Sequence, residues 1–130
     1  MPWNTGVPKS KKSKMRNWPR TQENDPYSFA SAEISEALSN QTGYPVSVGY
    51  NEFCSPSLDE AFAAAMIMNP EKIIVITPMM TRGGEHSEKD IPEAIKRAKK
   101  KNPKIEFAYV WPFDMKEIAT FLVEQLKRYF

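Results

Sequence analysis

Apolar residues recur along this chain with two different periods, and the alternation between them predicts its elements. From Asp25-Pro26 onward, Tyr27, Ala30, Ile34, Ala37 and Leu38 fall on one face of a helical period. Asp25 is placed to cap that helix, Pro26 suits its first position, and residues 40–43 close it. Three apolar runs then have strand length: PVSVGY at 45–50, KIIVITP at 72–78 and IEFAYVWP at 105–112. The second is an almost unbroken β-branched run, the pattern of a strand covered on both faces. Helical periodicity returns between and after the runs. Leu58, Phe62, Ala65 and Met66 form one stripe, Ile91, Ala94, Ile95 and Ala98 a second, and Ile118, Phe121, Leu122 and Leu126 a third. Ser57 with Glu60, Asp90 with Glu93 and Asp114 with Glu117 each have capping-box spacing, in which cap and third residue satisfy each other's backbone donors. Asn69-Pro70 and Asn102-Pro103 stop the first two of these helices.

Helices alternating with strands in this order predict an α/β fold: a parallel sheet with crossover helices on its two faces. Ligands bind such sheets at the carboxyl ends of the strands. The segments NEFCSPS at 51–57, MMTRGGEHSEKD at 79–90 and FD at 113–114 follow the three strands, so all three loops are expected on one edge. Residues 1–24 carry Pro2, Pro8 and Pro19, scattered charge and no periodic apolar pattern. They read as an irregular tail ahead of one domain at 25–130.

The second loop contains His86, the sole histidine of the chain. Around it stand Glu85, Glu88 and Asp90, and Glu52 lies in the loop after the first strand. Imidazole with carboxylates suits a divalent first-row metal. No HExxH or comparable array is present, so the bland readings stand beside this one. Glu85, Glu88 and Lys89 read as a solvated loop, Asp90 as the helix cap, and His86 equally as an exposed loop histidine. Gly83-Gly84 is too short to cradle a phosphate and gives the backbone freedom to turn. Arg82 is able to clamp a carboxylate. Met79, Met80, Phe53, Trp111 and Phe113 suit a flat apolar pocket, although each alone reads as core. Cys54 would need His86 as its base, and no Ser-His-Asp order supplies a nucleophile.

Composition narrows the class. The chain has 130 residues, 41% hydrophobic and 26% charged, which suits a single globular domain. One cysteine excludes a disulfide framework within the chain. No apolar run reaches membrane-spanning length and none opens the sequence, so a cytoplasmic protein is expected. The net charge of +2 hides an asymmetry: residues 1–20 hold six bases and no acid, leaving twelve bases against sixteen acids beyond. A basic tail can bind polyanions. Nothing after residue 26 looks like a nucleic-acid module, so a solvated tail and no nucleic-acid partner are expected.

Three stretches together resemble a known family. GYNEFCSPSLDEA at 49–61, VITPMMTRGGEHSEKDIPEAI at 75–95 and YVWPFD at 109–114 are similar to the CbiX-type sirohydrochlorin chelatases, and the similarity extends over about residues 27–130. These are class II chelatases, which insert a divalent metal into a tetrapyrrole for cobalamin or sirohaem synthesis. The resemblance implies a three-layer α/β sandwich with a parallel sheet of three to four strands, a flavodoxin-like chelatase lobe. It implies that His86 is a metal ligand and catalytic base, and that Glu52 shares the metal or accepts a pyrrole proton. Arg82, Gly83, Gly84, Met80 and Phe53 are then expected to contact the tetrapyrrole. The metal is a substrate, cobalt before iron or nickel, and no nucleotide or redox cofactor is expected. Short members of the family pair as homodimers, which implies self-association here. The family also opens with an apolar strand ending in a His-Gly-Ser type turn. NTGVPKSKKSKMRNWPRTQENDPY has neither strand nor histidine, which implies an open sheet edge beside residues 46–50. Two other readings stay open: a metal- or tetrapyrrole-binding homologue without insertion activity, and a plain α/β interaction domain.

Overall fold

Proline at a first helical position and glycine just past a last one frame the earliest element. In the computed structural model, which describes residues 26–50 and 56–130, helix α1 spans Pro26–Thr42. Its last turn is closed by the Gly43 N–H donating to Ser39 O at 2.8 Å and the Thr42 hydroxyl donating to Leu38 O at 2.7 Å. Its apolar face is largely open: Leu38 is half-buried, whereas Ala30, Ile34 and Ala37 are exposed. Helix α2, Leu58–Met66, begins as expected. Glu60 N–H donates to Ser57 Oγ at 3.1 Å and Ser57 N–H donates to Glu60 Oε1 at 3.2 Å, the full capping box. Leu58, Phe62, Ala65 and Met66 form its half-buried stripe.

Among the described residues, the run at 45–50 forms no ladder. Tyr50 makes an isolated bridge, parallel to Ser57, with its N–H bonded to Pro56 O at 2.8 Å. The segment instead lies against α2. The Ser47 hydroxyl donates to Ala61 O at 2.9 Å. Gly49 sits so close that a Cβ there would stand 2.9 Å from Ala61 Cβ and 3.1 Å from Leu58 Cα. A strand exists only through a neighbour's hydrogen bonds, and the sequence of residues 1–24 offers no apolar run to pair with it.

The chain divides into two units, Met1–Pro70 and Glu71–Phe130. In the second, strands β1 (Lys72–Ile76) and β2 (Glu106–Val110) pair in parallel, in a register running from Lys72 opposite Glu106 to Ile76 opposite Val110. The parallel sheet is as expected, but it has two strands among the described residues rather than three to four. Helix α3, Ile91–Lys101, connects the strands and packs on β2. It supplies the core, with Ile91, Ala94 and Ala98 buried. Lys99, Lys100 and Lys101 lie in its last turn, where positive charge opposes the helix dipole.

Two further expectations change here. β1 alternates instead of being covered on both faces: Ile73 and Val75 are half-buried, while Ile74 is 61% and Ile76 50% exposed. A connecting helix lies over a single face of its sheet, so the side chains at every second position of β1 stay open. Helix α4, Met115–Leu126, leaves Phe121, Leu122 and Leu126 about half exposed, so the third stripe is not a buried one. Its cap is Asp114, whose Oδ1 accepts from Lys116 N–H at 2.8 Å.

Candidate functional site

β1 hands the chain to a loop at its carboxyl end, and that loop is tied down along its length. Thr77 is buried directly after the strand. Trp111, just past the end of β2, donates its indole N–H to Met79 O at 2.8 Å. Tyr109 stacks on Trp111 with ring centroids 6.0 Å apart and donates its hydroxyl to Ser87 O at 2.9 Å. The aromatic end of one strand thus holds both limbs of the loop that follows the other.

Within the loop, Glu88 is the clasp. Its carboxylate accepts from Arg82 Nη2 at 2.7 Å and from Gly83 N–H at 2.9 Å. The hydrogen bond from Arg82 and then the Gly83 amide hold this carboxyl below its ordinary range, and Glu88 in turn raises the Arg82 guanidinium. The guanidinium also lies over the Trp111 ring, 5.6 Å from its centroid. Burial, followed by the charge of Glu88, pushes the Tyr109 phenol up. Gly83 has φ +105, a backbone conformation that a side chain would strain. The turn is completed by Glu88 N–H donating to Gly84 O at 3.0 Å.

His86 stands at the start of a π-helical turn, His86–Asp90, closed by the Ile91 N–H donating to His86 O. Such widened turns concentrate at functional positions. The turn runs straight on into α3, so Asp90 has helical dihedrals and its side chain makes no capping bond. The expected Asp90 cap is therefore absent. Asp90 Oδ2 instead faces His86 Nδ1 at 3.6 Å. Nδ1 is buried and has no hydrogen-bond partner among the described residues, while the ring as a whole is 20% exposed.

The remaining expected residues divide as follows. Met80 is exposed, and Arg82, Gly83 and Gly84 belong to the clasped loop. Arg82 is not a free carboxylate clamp in this arrangement, because Glu88 occupies the Nε–Nη2 edge of its guanidinium. Glu52 and Phe53 lie outside the described residues. Among the described residues, no group of three or more His, Cys, Asp or Glu side chains comes together as a metal cluster, and no helix is long and apolar enough to cross a membrane. Sequence reasoning missed the roles of Glu88, Tyr109 and Trp111. The signals were an acid six residues after Arg82 across a Gly-Gly pair, and two polar-tipped aromatics at one strand end.

Comparison with known proteins addresses the same loops. Residues 23–129 match the family model described as CbiX. Among curated relatives, the sirohydrochlorin ferrochelatase of Priestia megaterium is 30% identical over 80 residues, which is 61% of this chain and 30% of that protein. The sirohydrochlorin cobaltochelatase of Methanothermobacter thermautotrophicus is 36% identical over 62 residues, 48% of this chain and 43% of that protein. The matched regions thus span less than half the length of either relative. A family match that runs from the start of α1 to the last residues of α4 and beyond, with the histidine loop inside it, leaves one assignment: the chain belongs to the CbiX family of class II chelatases.

Proposed function

We propose that this protein inserts a divalent metal, cobalt first, into sirohydrochlorin. The observation that carries the reading is His86, the sole imidazole of the chain, held on an anchored π turn within the family match and beyond the carboxyl end of β1. Both relatives are named for sirohydrochlorin and differ in metal, iron for one and cobalt for the other. Insertion requires a held metal, a positioned macrocycle and acceptors for two pyrrole protons. In this reading His86 holds the metal, and once the macrocycle has taken the metal the same lone pair is free to accept a pyrrole proton. Glu52 supplies a carboxylate to balance metal charge or take the second proton. Arg82, released from Glu88, meets a carboxylate of the macrocycle, while Met80 and Phe53 offer it apolar surface. A second copy of the chain supplies the other wall of the cleft and a second imidazole.

The test is anaerobic incubation of the protein with cobalt(II) and sirohydrochlorin, followed by absorbance. Wild type should exceed the spontaneous rate, and His86→Ala should lower the enzymatic rate by roughly 10²–10⁴-fold, the worth of a positioned proton acceptor. Circular dichroism of the variant should be unchanged, because a loop imidazole contributes little packing. Light scattering should give a dimer mass at micromolar concentration. A wild-type rate equal to buffer overturns the catalytic reading. Retained sirohydrochlorin binding in that case favours a non-catalytic homologue, to which the single histidine also points.

A further inference from the structure

We propose that Asp90 is the positioning residue of His86. Its carboxylate accepts a hydrogen bond from Nδ1–H, which fixes the neutral ring as the Nδ1–H tautomer and leaves the Nε2 lone pair to face a divalent metal. The inference rests on the chelatase reading for the identity of that metal, but not for the pairing itself.

Three observations carry it. First, Nδ1 is buried and unpartnered, and the acceptor facing it is Asp90 Oδ2, 3.6 Å away and just outside hydrogen-bond range. A buried ring nitrogen without a partner is costly, and a small rotation about the ring bond closes this gap. Second, Asp90 has no competing duty. It makes no capping bond, and among the described residues the neighbouring charges are committed elsewhere: Lys89 lies 3.9 Å from Glu85, and Glu88 is bound to Arg82 and Gly83. Third, the π turn fixes the pair. The Ile91 N–H to His86 O bond sets residues 86 and 90 on one face of a segment continuous with α3, whose Ile91, Ala94 and Ala98 anchor it in the core.

The electrostatics choose between the tautomers. With the proton on Nε2, the Nδ1 lone pair would point at a carboxylate oxygen, two electron-rich atoms face to face in a buried place. With the proton on Nδ1 the same geometry becomes attractive, and Nε2 keeps its lone pair. Metal-bound histidines are commonly oriented in this way by a carboxylate on the other nitrogen.

A chain with one histidine makes the test direct, because its imidazole resonances need no assignment. In metal-free, ¹⁵N-labelled protein at a pH where the ring is neutral, long-range ¹H–¹⁵N spectra should show Nδ1 as the protonated nitrogen. Asp90→Ala should lose this preference and weaken cobalt(II) binding by about 10–100-fold, measured with the metal alone. Asp90→Asn, which keeps an acceptor of the same shape, should retain more of both, and it stands in should the alanine variant fail to fold. A wild-type ring protonated on Nε2 overturns the proposal. So does a tautomer, or a cobalt(II) affinity, that both Asp90 variants leave unchanged. Wild type with the Nδ1–H tautomer but no cobalt(II) binding overturns the metal role of the pair, while the His86–Asp90 pairing stands and the chelatase reading falls only with the insertion assay.

Discussion

Two of the chain's connections from an extended segment into a helix are built in opposite ways. Between Tyr50 and α2 the helix start is strong and the strand is weak. Ser57 and Glu60 satisfy each other's backbone donors, yet, among the described residues, the run at 45–50 has one bridge and no ladder. Between β1 and α3 the strand is strong and the helix has no cap. Five residues pair with β2, and the helix grows out of a π turn whose Asp90 makes no capping bond. Among the described residues, the bonds at the first connection are between neighbours in sequence. The second is held by residues at the end of another strand, Tyr109 within it and Trp111 just past it, which reach across to Ser87 and Met79. A loop that must carry an imidazole in a fixed place needs the second kind of support, because short-range caps fix where a helix begins but not where a loop lies.

The largest effect expected from breaking this contrast is at Gly49. Any Cβ there meets Ala61 Cβ at 2.9 Å and the Leu58 backbone at 3.1 Å, so α2 must move away or the extended segment must detach. Gly49→Ala should cost about 1–3 kcal/mol, the range for forcing atoms into a packed site. The loss should be read as a lower denaturant midpoint with an unchanged slope, and as faster hydrogen exchange at the Tyr50 amide, which bonds to Pro56 O. A Gly49→Ala variant as stable as wild type would show that residues 45–50 do not depend on that close approach.

The same contrast explains what the sequence made legible. Ser57 and Glu60 are three residues apart, so their box could be read directly. KIIVI and EFAYV were legible as parallel strands because each has strand length and a helical stripe lies between them. PVSVGY looked equally like a strand, but ladder formation depends on a partner that its own residues do not encode. The apolar residues of α4 announced a buried face, and Phe121 and Leu122 lie about half exposed, because periodicity fixes a helix face and not what covers it. In the site, His86 was conspicuous as the sole imidazole, and loop, strand end and glycine turn followed from local pattern. Asp90 was misread as a cap because its spacing to Glu93 fits one, and the π turn that displaces it leaves no periodic mark. Glu88 was taken for solvated charge because its partners, Arg82 and the Gly83 amide, are brought to it only by the folded turn.

A smaller effect is expected at Tyr109, the cross-strand support of the loop. Tyr109→Phe keeps the ring stacked on Trp111 and removes the hydrogen bond to Ser87 O, for a loss of about 0.5–1.5 kcal/mol. The pH dependence sharpens the assignment. Burial, and after it the charge of Glu88, raises the Tyr109 phenol above its unfolded value. Its contribution is therefore fully present below the unfolded pKa and is lost as pH rises through the raised, folded one. Wild-type stability should fall at strongly alkaline pH by more than that of the phenylalanine variant. Parallel curves for the two proteins would remove Tyr109 from the support of the loop.

The smallest effect on stability and the clearest local one belong to Glu88. Its pair with Arg82 is short but lies at the surface, where solvent and salt screen it, so Glu88→Ala should scarcely move the denaturant midpoint. The loop should nevertheless respond, because the same carboxylate also takes the Gly83 N–H at 2.9 Å and so holds the turn that precedes His86. The folded carboxyl is held below its ordinary range, first by Arg82 and then by the Gly83 amide. The clasp is accordingly complete above the unfolded carboxyl pKa and opens as pH falls through the lowered one. The Gly83 amide resonance should be displaced in the alanine variant at neutral pH. In wild type it should move in the same direction at acid pH, with high salt shifting it part of the way. An amide that ignores both the substitution and acid would mean that Gly83 holds its left-handed turn unaided, and that the second connection, like the first, is set by residues near in sequence.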